Sequence, residues 1–323
     1  MLLWTRGDIV LMAVLSSIPV VISKITGWTW LGIPWIPIAL VGTAAAFIVG
    51  FRNTQTYNRL WEARQIYGSI VNNSRSWGMM VRDLVGSSNN RQLTPIRRQL
   101  VMRHIGWLTA LRFQLREQRT WETSRSKPSN KRYALKFSID EWDKDLASCL
   151  QPYLSAEDLA YVLSKKNRAT HLIALQSKEL KVLKEAGQID PLDYVELVNL
   201  LTVLYDQQGR CERIKNFPYP RQFATISQML TRLFVCLVPF GMLNEFQKLG
   251  DLMTWVAIPL ATLIGWVFLT MERIGENTEN PFEGGANDVP ITALSRTIEI
   301  DLLEMLDEPV IPPAIQPKNM ILT

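Results

Sequence analysis

Ile38-Ala39-Leu40-Val41-Gly42-Thr43-Ala44-Ala45-Ala46-Phe47-Ile48-Val49-Gly50-Phe51 is the stretch on which the fold turns. It ends a longer run, Trp30 to Phe51, without a single charged side chain, and a second such run extends from Leu252 to Met271. Apolar segments of roughly 20 residues are what a helix needs to cross a hydrocarbon layer about 30 Å thick. Shorter apolar stretches lie at Ile9–Ile22 and Leu233–Leu243, the latter with polar flanks, and bring the expected crossings to four. Pro19 and the closeness to Met1 also fit a signal peptide. The chain re-enters an apolar segment just after Gly27-Trp28-Thr29-Trp30, however, which favours a membrane hairpin. Inside the deciding stretch, small residues permit close helix approach in lipid. Thr43, Phe47 and Phe51 recur every four residues and form one stripe of a helix. The plainest reading of that stripe is packing against lipid or core; the sharper one is that it lines something.

The averages conceal this clumping. The chain of 323 residues is 47% hydrophobic and carries a net charge of +5, values that a soluble protein shares. Lys and Arg are densest over 116–136, a stretch that contains Pro128 and reads as a solvated loop facing anionic headgroups or cytosol, not as a nucleic-acid face. Cys149, Cys211 and Cys236 are odd in number and far apart, which fits a reducing compartment without structural disulfides. His104 and His171 are too isolated to predict a metal site. The sequence offers no nucleophile–base pairing, phosphate loop or ligand cluster, so an enzyme is not expected and neither is a cofactor. Glu62, Arg64 and Glu272 read as inter-helix ion pairs.

Arg52, Arg59 and Arg64 crowd the end of the second apolar segment, and Arg221 and Arg232 precede the third. The positive-inside tendency therefore places both termini and the block 52–225 in the cytosol. That block reads as helix. Tyr57, Leu60, Trp61, Arg64, Tyr67, Val71, Ser74, Trp77, Val81 and Leu84 recur every three or four residues, so the second membrane helix is expected to continue past the interface. Ile96–Leu115 and Leu172–Leu183 repeat the spacing, and Asp190-Pro191 opens a further helix over Leu192–Leu204. Asp288 ahead of Pro290 reads as the cap of a helix over Ile291–Leu306, followed by a proline-rich tail lying along the body or a neighbouring subunit. The expected class is an all-α integral membrane protein: 1–51 with the first two crossings, a cytosolic helical region 52–225, the third and fourth crossings in 226–272, and a cytosolic end 273–323.

Gly50-Phe51-Arg52-Asn53-Thr54 with Tyr57-Asn58-Arg59-Leu60-Trp61-Glu62-Ala63-Arg64 and Gly68 resembles the signature of the bestrophin family. Glu279-Asn280-Pro281-Phe282 and Asn287-Asp288-Val289-Pro290 resemble its second hallmark segment, and Cys211-Glu212-Arg213-Ile214 its bacterial members. The likeness runs to about Leu306 and is nearest the bacterial and chloroplast branch. The resemblance implies a homopentameric channel around one axial pore, in a bacterial plasma membrane or a thylakoid, passing anions such as chloride. By position it implies a hydrophobic neck of Thr43, Phe47 and Phe51 and a cytosolic aperture at Leu192. Thr43 departs from the bulky aliphatic residue of many members, and a hydroxyl there would wet the outer neck. Animal members carry a calcium clasp after Asn-Pro-Phe. Here, in the segment with Asn280, Pro281, Glu283 and Asp288, the acidic run is thinned to two separated acids, and no tight calcium site is expected. The start so near the first helix suggests an N-terminus trimmed relative to the family. The partners expected are further copies of the chain, membrane lipid and permeant anions. Other readings are a membrane-anchored scaffold and a channel that prefers cations.

Overall fold

The computed structural model describes residues 2–86, 94–125, 127, 130–131 and 134–323; Pro128 of the basic stretch lies outside them. The described residues are helical apart from loops and one isolated antiparallel bridge between Lys318 and Ile321. Nine helices of eight or more residues are labelled here: α1 (Leu2–Thr26), α2 (Trp35–Leu84), α3 (Thr94–Arg116), α4 (Ala156–Leu163), α5 (Arg168–Glu185), α6 (Pro191–Asn216), α7 (Arg221–Gln247), α8 (Ala257–Thr278) and α9 (Ile291–Met305). Two compact units result, one of residues 1–59 with 218–279, the other of 60–217 with 280–323. α2 is a single helix of 50 residues shared between them, as its apolar spacing predicts.

In the first unit the usual arrangement of polarity is inverted. α1 buries Thr5, Asp8, Ser16 and Ser23 beside Met12 and Val20, while Leu3, Val10, Leu11, Val14, Ile18 and Ile25 are exposed. Leu260, Leu263 and Val267 of α8 are likewise exposed. Water would reverse this pattern. A hydrocarbon solvent favours it, because there the polar groups seek partners inside the bundle. Four helices are long and apolar enough to cross a membrane: α1, α2 from Thr29, α7, and α8 from Met253. α7 is far longer than its apolar centre suggested, because its polar flank is buried: Ser227 and Thr231 face the bundle. Close packing relies on glycine. A Cβ on Gly42 would meet the Phe234 ring at 2.5 Å, and one on Gly241 would meet Ile38 at 2.7 Å. At one end Lys24 pairs with Asp251 at 2.5 Å and Gln247 donates to Ser23 Oγ at 2.7 Å. Toward the other end of α1, Asp8 pairs with Arg273 at 2.6 Å.

The second unit has a conventional apolar core. α2 contributes Ala63, Ile66, Tyr67, Ile70, Trp77 and Val81, and α3, α5, α6 and α9 supply Leu, Ile and Val to the same cluster. The expected α2 face is offset at its start, where Tyr57, Trp61 and Arg64 are exposed and Ala63 begins the buried row. His104 is a core residue, with its ring 6.0 Å from Trp77 and 5.0 Å from Trp107 and its Nε2 2.9 Å from Ser74 Oγ. Burial lowers its pKa to about 3, so it is neutral. The tail lies on its own unit: Ala293 N–H donates to Thr323 O at 2.8 Å and Asn319 Nδ2 to Lys136 O at 2.7 Å.

Candidate functional site

α2 carries the stripe on a face that the first unit leaves open. Gly42, Ala45 and Val49 turn inward, while Thr43, Phe47 and Phe51 are exposed, Phe47 at 72%. Thr43 Oγ1 donates to Ala39 O at 2.9 Å, so the hydroxyl is satisfied within the helix and adds little polarity. The Phe51 ring stands 6.1 Å from that of Phe223 on α7.

One residue further the chemistry changes. Arg52 is 2% exposed, with NH1 donating to Glu272 Oε1 at 2.8 Å and NH2 to Glu279 Oε2 at 3.0 Å. Its guanidinium also lies 6.0 Å from the Tyr219 ring. Two carboxylates therefore neutralise the charge of Arg52. Asn53 Nδ2 donates to Met271 O at 3.1 Å, and Gly275 of α8 is pressed against Asn53 Oδ1 so closely that no Cβ fits. Further along α2, Tyr57 is exposed and Arg59 half-buried.

In the second unit Trp61 and Arg64 are exposed and Glu62 pairs with Arg213 of α6 at 2.5 Å. Thus Glu62 and Glu272 are inter-helix pairs, as their positions suggested; Arg64 is on the surface. Leu192 lies in the first turn of α6, 78% exposed, its N–H donating to the Asp190 cap at 2.9 Å.

Asn280, Pro281, Phe282 and Glu283 form a buried loop, and here another expectation is corrected. Asp288 does not cap α9, which has no side-chain cap. It instead accepts the N–H groups of Gly284 and Gly285 at 2.8 and 2.7 Å, with Arg116 NH1 3.9 Å away. Gly284 reaches this geometry at φ +94°, which a side chain disfavours. Glu283 Oε2 accepts from Thr123 N–H at 2.8 Å, and Lys215 pairs with Glu122. The stretch 116–136 is therefore not simply solvated, since Arg116, Glu122 and Ser124 are buried. Burial raises the pKa of Glu283, with the Asp288 charge adding to the rise, and burial also raises that of Asp288 against the pull of Arg116. Among the described residues no group of three or more His, Cys, Asp or Glu is placed to hold a metal. With two buried cations beside carboxylates that already have donors, the set does not suit calcium. The cations Arg116 and Lys215 carried no readable local signal; Glu272, Glu276 and Glu279, at i, i+4 and i+7, did.

The chain is similar to the voltage-dependent anion channel-forming protein YneE of Escherichia coli K12, with 29% identity over 299 residues, covering 92% of this chain and 86% of that protein. A protein of the same description from Mesorhizobium japonicum is 26% identical, covering 87% of this chain and 77% of its own length. The fold is that of a bacterial bestrophin homolog from Klebsiella pneumoniae known from its crystal structure. That match has a TM-score of 0.76 and 24% identity, covering 94% of this chain and 98% of that one. The sequence model of the Bacterial/Fungal Bestrophin protein matches residues 5–304. With its polarity inverted for lipid and the family pattern spanning nearly its whole length, the chain is a membrane protein of the bacterial and fungal bestrophin family.

Proposed function

We propose that this chain is the subunit of a passive anion channel, in which copies of α2 surround an axial pore in a homopentamer. Thr43, Phe47 and Phe51 line the neck, and Leu192 forms the cytosolic aperture. The observation that carries the reading is the exposed, uncharged stripe of α2 on a helix whose opposite face is fully packed. A narrow apolar constriction strips part of an ion's hydration and gates by dewetting. The rim of each Phe ring is the positive part of its quadrupole, so rings presented edge-on favour an anion. With Arg52 neutralised, the aromatic edges are what sets the sign. The channel names of the bacterial relatives agree with this reading, and the membrane proposed is a bacterial plasma membrane.

The test is reconstitution into vesicles with reversal potentials measured in asymmetric salt, beside the mass of the detergent-solubilised assembly. Anions, weakly hydrated ones above all, are expected to pass better than sodium or potassium, through a five-fold particle. Phe47→Leu should lower the anion-over-cation ratio severalfold and leave the particle mass unchanged. An unchanged reversal potential would remove Phe47 from the selectivity-determining neck. A parent protein that passes no ions at all would favour the scaffold.

A further inference from the structure

The face of α2 adjoining the stripe meets α8 along a charged seam. Arg52, Thr56 and Arg59 recur at i, i+4 and i+7 on α2, and Glu272, Glu276 and Glu279 at the same intervals near the end of α8. Arg52 bridges two levels of that row, reaching Glu272 and Glu279 at 2.8 and 3.0 Å. Glu276 is buried at 8% exposure, and Arg59 is half-buried on the same α2 row. Beside this fork the helices approach closely, with Gly275 against Asn53 and the Asn53 amide held by Met271 O.

Such a seam contributes little net stability. Buried ion pairs roughly offset their own desolvation, and well-packed apolar residues often do as well. What a bidentate fork supplies is direction, because its planar donors accept one arrangement of two carboxylates. α2 turns by roughly 100° per residue, so pinning Arg52 and Asn53 against α8 fixes where the adjoining stripe points. Phe51, next to Arg52 in sequence, is the stripe residue most directly governed, and its contact with Phe223 depends on that same rotation.

We propose that Arg52 and Asn53 are positioning residues for ion selectivity: they set the rotation of α2 against α8, and so decide which side chains face the permeation path, without touching the ion. This rests on the channel reading above. The experiment compares the parent, Arg52→Lys, Asn53→Ala, Phe47→Leu and the double variant Arg52→Lys/Phe47→Leu in vesicles under asymmetric salt. Particle mass is recorded for each. Arg52→Lys keeps the charge and loses the fork. It is expected to lower the anion-over-cation permeability ratio severalfold while flux and mass persist, and Asn53→Ala should act in the same direction. The double variant should fall short of the sum of the single effects, since Arg52→Lys acts by misaiming a stripe from which Phe47→Leu has already removed one ring. A purely structural role would reduce the amount of assembled protein without moving the ratio. An unchanged ratio in assembled Arg52→Lys overturns the proposal, and the channel reading survives if Phe47→Leu still shifts it. Should Arg52→Lys fail to assemble, Asn53→Ala decides on the same criterion. A parent that conducts nothing refutes the channel reading, and this proposal with it.

Discussion

Arg103→Met is expected to destabilise the second unit by about 3–5 kcal/mol, the usual penalty for removing one partner of a buried ion pair. Arg103 of α3 donates to Asp158 Oδ2 of α4 at 2.7 Å and to Glu179 Oε2 of α5 at 3.0 Å. Its side chain is 8% exposed and that of Asp158 10%. The substitution leaves two carboxylates without their cation, one of them in a nearly dry site, so the loss exceeds that of the contacts themselves. Adding Asp158→Asn should recover part of the stability by neutralising the stranded charge. Lys144→Met, which breaks the exposed pair with Asp140, should cost at most about 1 kcal/mol. Denaturation midpoints of the four proteins in detergent provide the check. Equal losses for Arg103→Met and Lys144→Met would contradict the account.

Stability should also fall as pH rises from neutrality toward 8, through the buried cluster around Glu283. Burial, with Asp288 second, lifts the Glu283 carboxyl from an ordinary 4.5 to about 8. The native state then binds more protons than the unfolded chain throughout that interval. By linkage, the stability it contributes is complete below the unfolded value and is lost as pH climbs through the folded one. Asp288 acts in the same sense, while Glu122, Arg116 and Lys215 fix the charge surrounding the pair. His104 works oppositely. Its folded pKa of about 3 lies below the ordinary 6.5, so its contribution is present above 6.5 and is lost as pH falls. The two slopes compete below about 6.5, and Glu283 acts without His104 above it. Melting temperatures across pH 6.5 to 8 should drop for the parent and flatten for Glu283→Gln, by a difference of about 1.5–2 kcal/mol when expressed as free energy. A flat parent profile would show that Glu283 is already ionised at neutral pH.

The helices were legible because their signal is local. Spacing along the chain identifies α2 well past the apolar run, and Asp190-Pro191 marks the start of α6. The stripe of Thr43, Phe47 and Phe51 is visible for the same reason, being a matter of one helix and a period of four. What the stripe stands beside was not visible. Arg52 finds its carboxylates 220 and 227 residues away, and nothing in its own neighbourhood announces them. Asp288 misled in the opposite way. An acid two residues before a proline obeys the local rule for a helix start, but Gly284 and Gly285 offer it two N–H groups in a tighter loop. α7 was underestimated because hydropathy penalises Ser227 and Thr231, side chains that a membrane bundle hides from lipid.

The separation between Arg52 and its partners also bears on how the protein is made. At about 5–20 residues per second, a ribosome needs roughly 10–45 s to synthesise the 220 residues between Arg52 and Glu272. α2 is thus complete while the guanidinium that later ties it to α8 still lacks the two carboxylates of the finished unit. The high cost of desolvating it keeps that end of α2 at the aqueous interface during the wait. α8 ends the delay when its glutamates arrive. Closure of the first unit's charged seam therefore waits on the synthesis of α8, and a chain cut short before it lacks both carboxylates that hold Arg52.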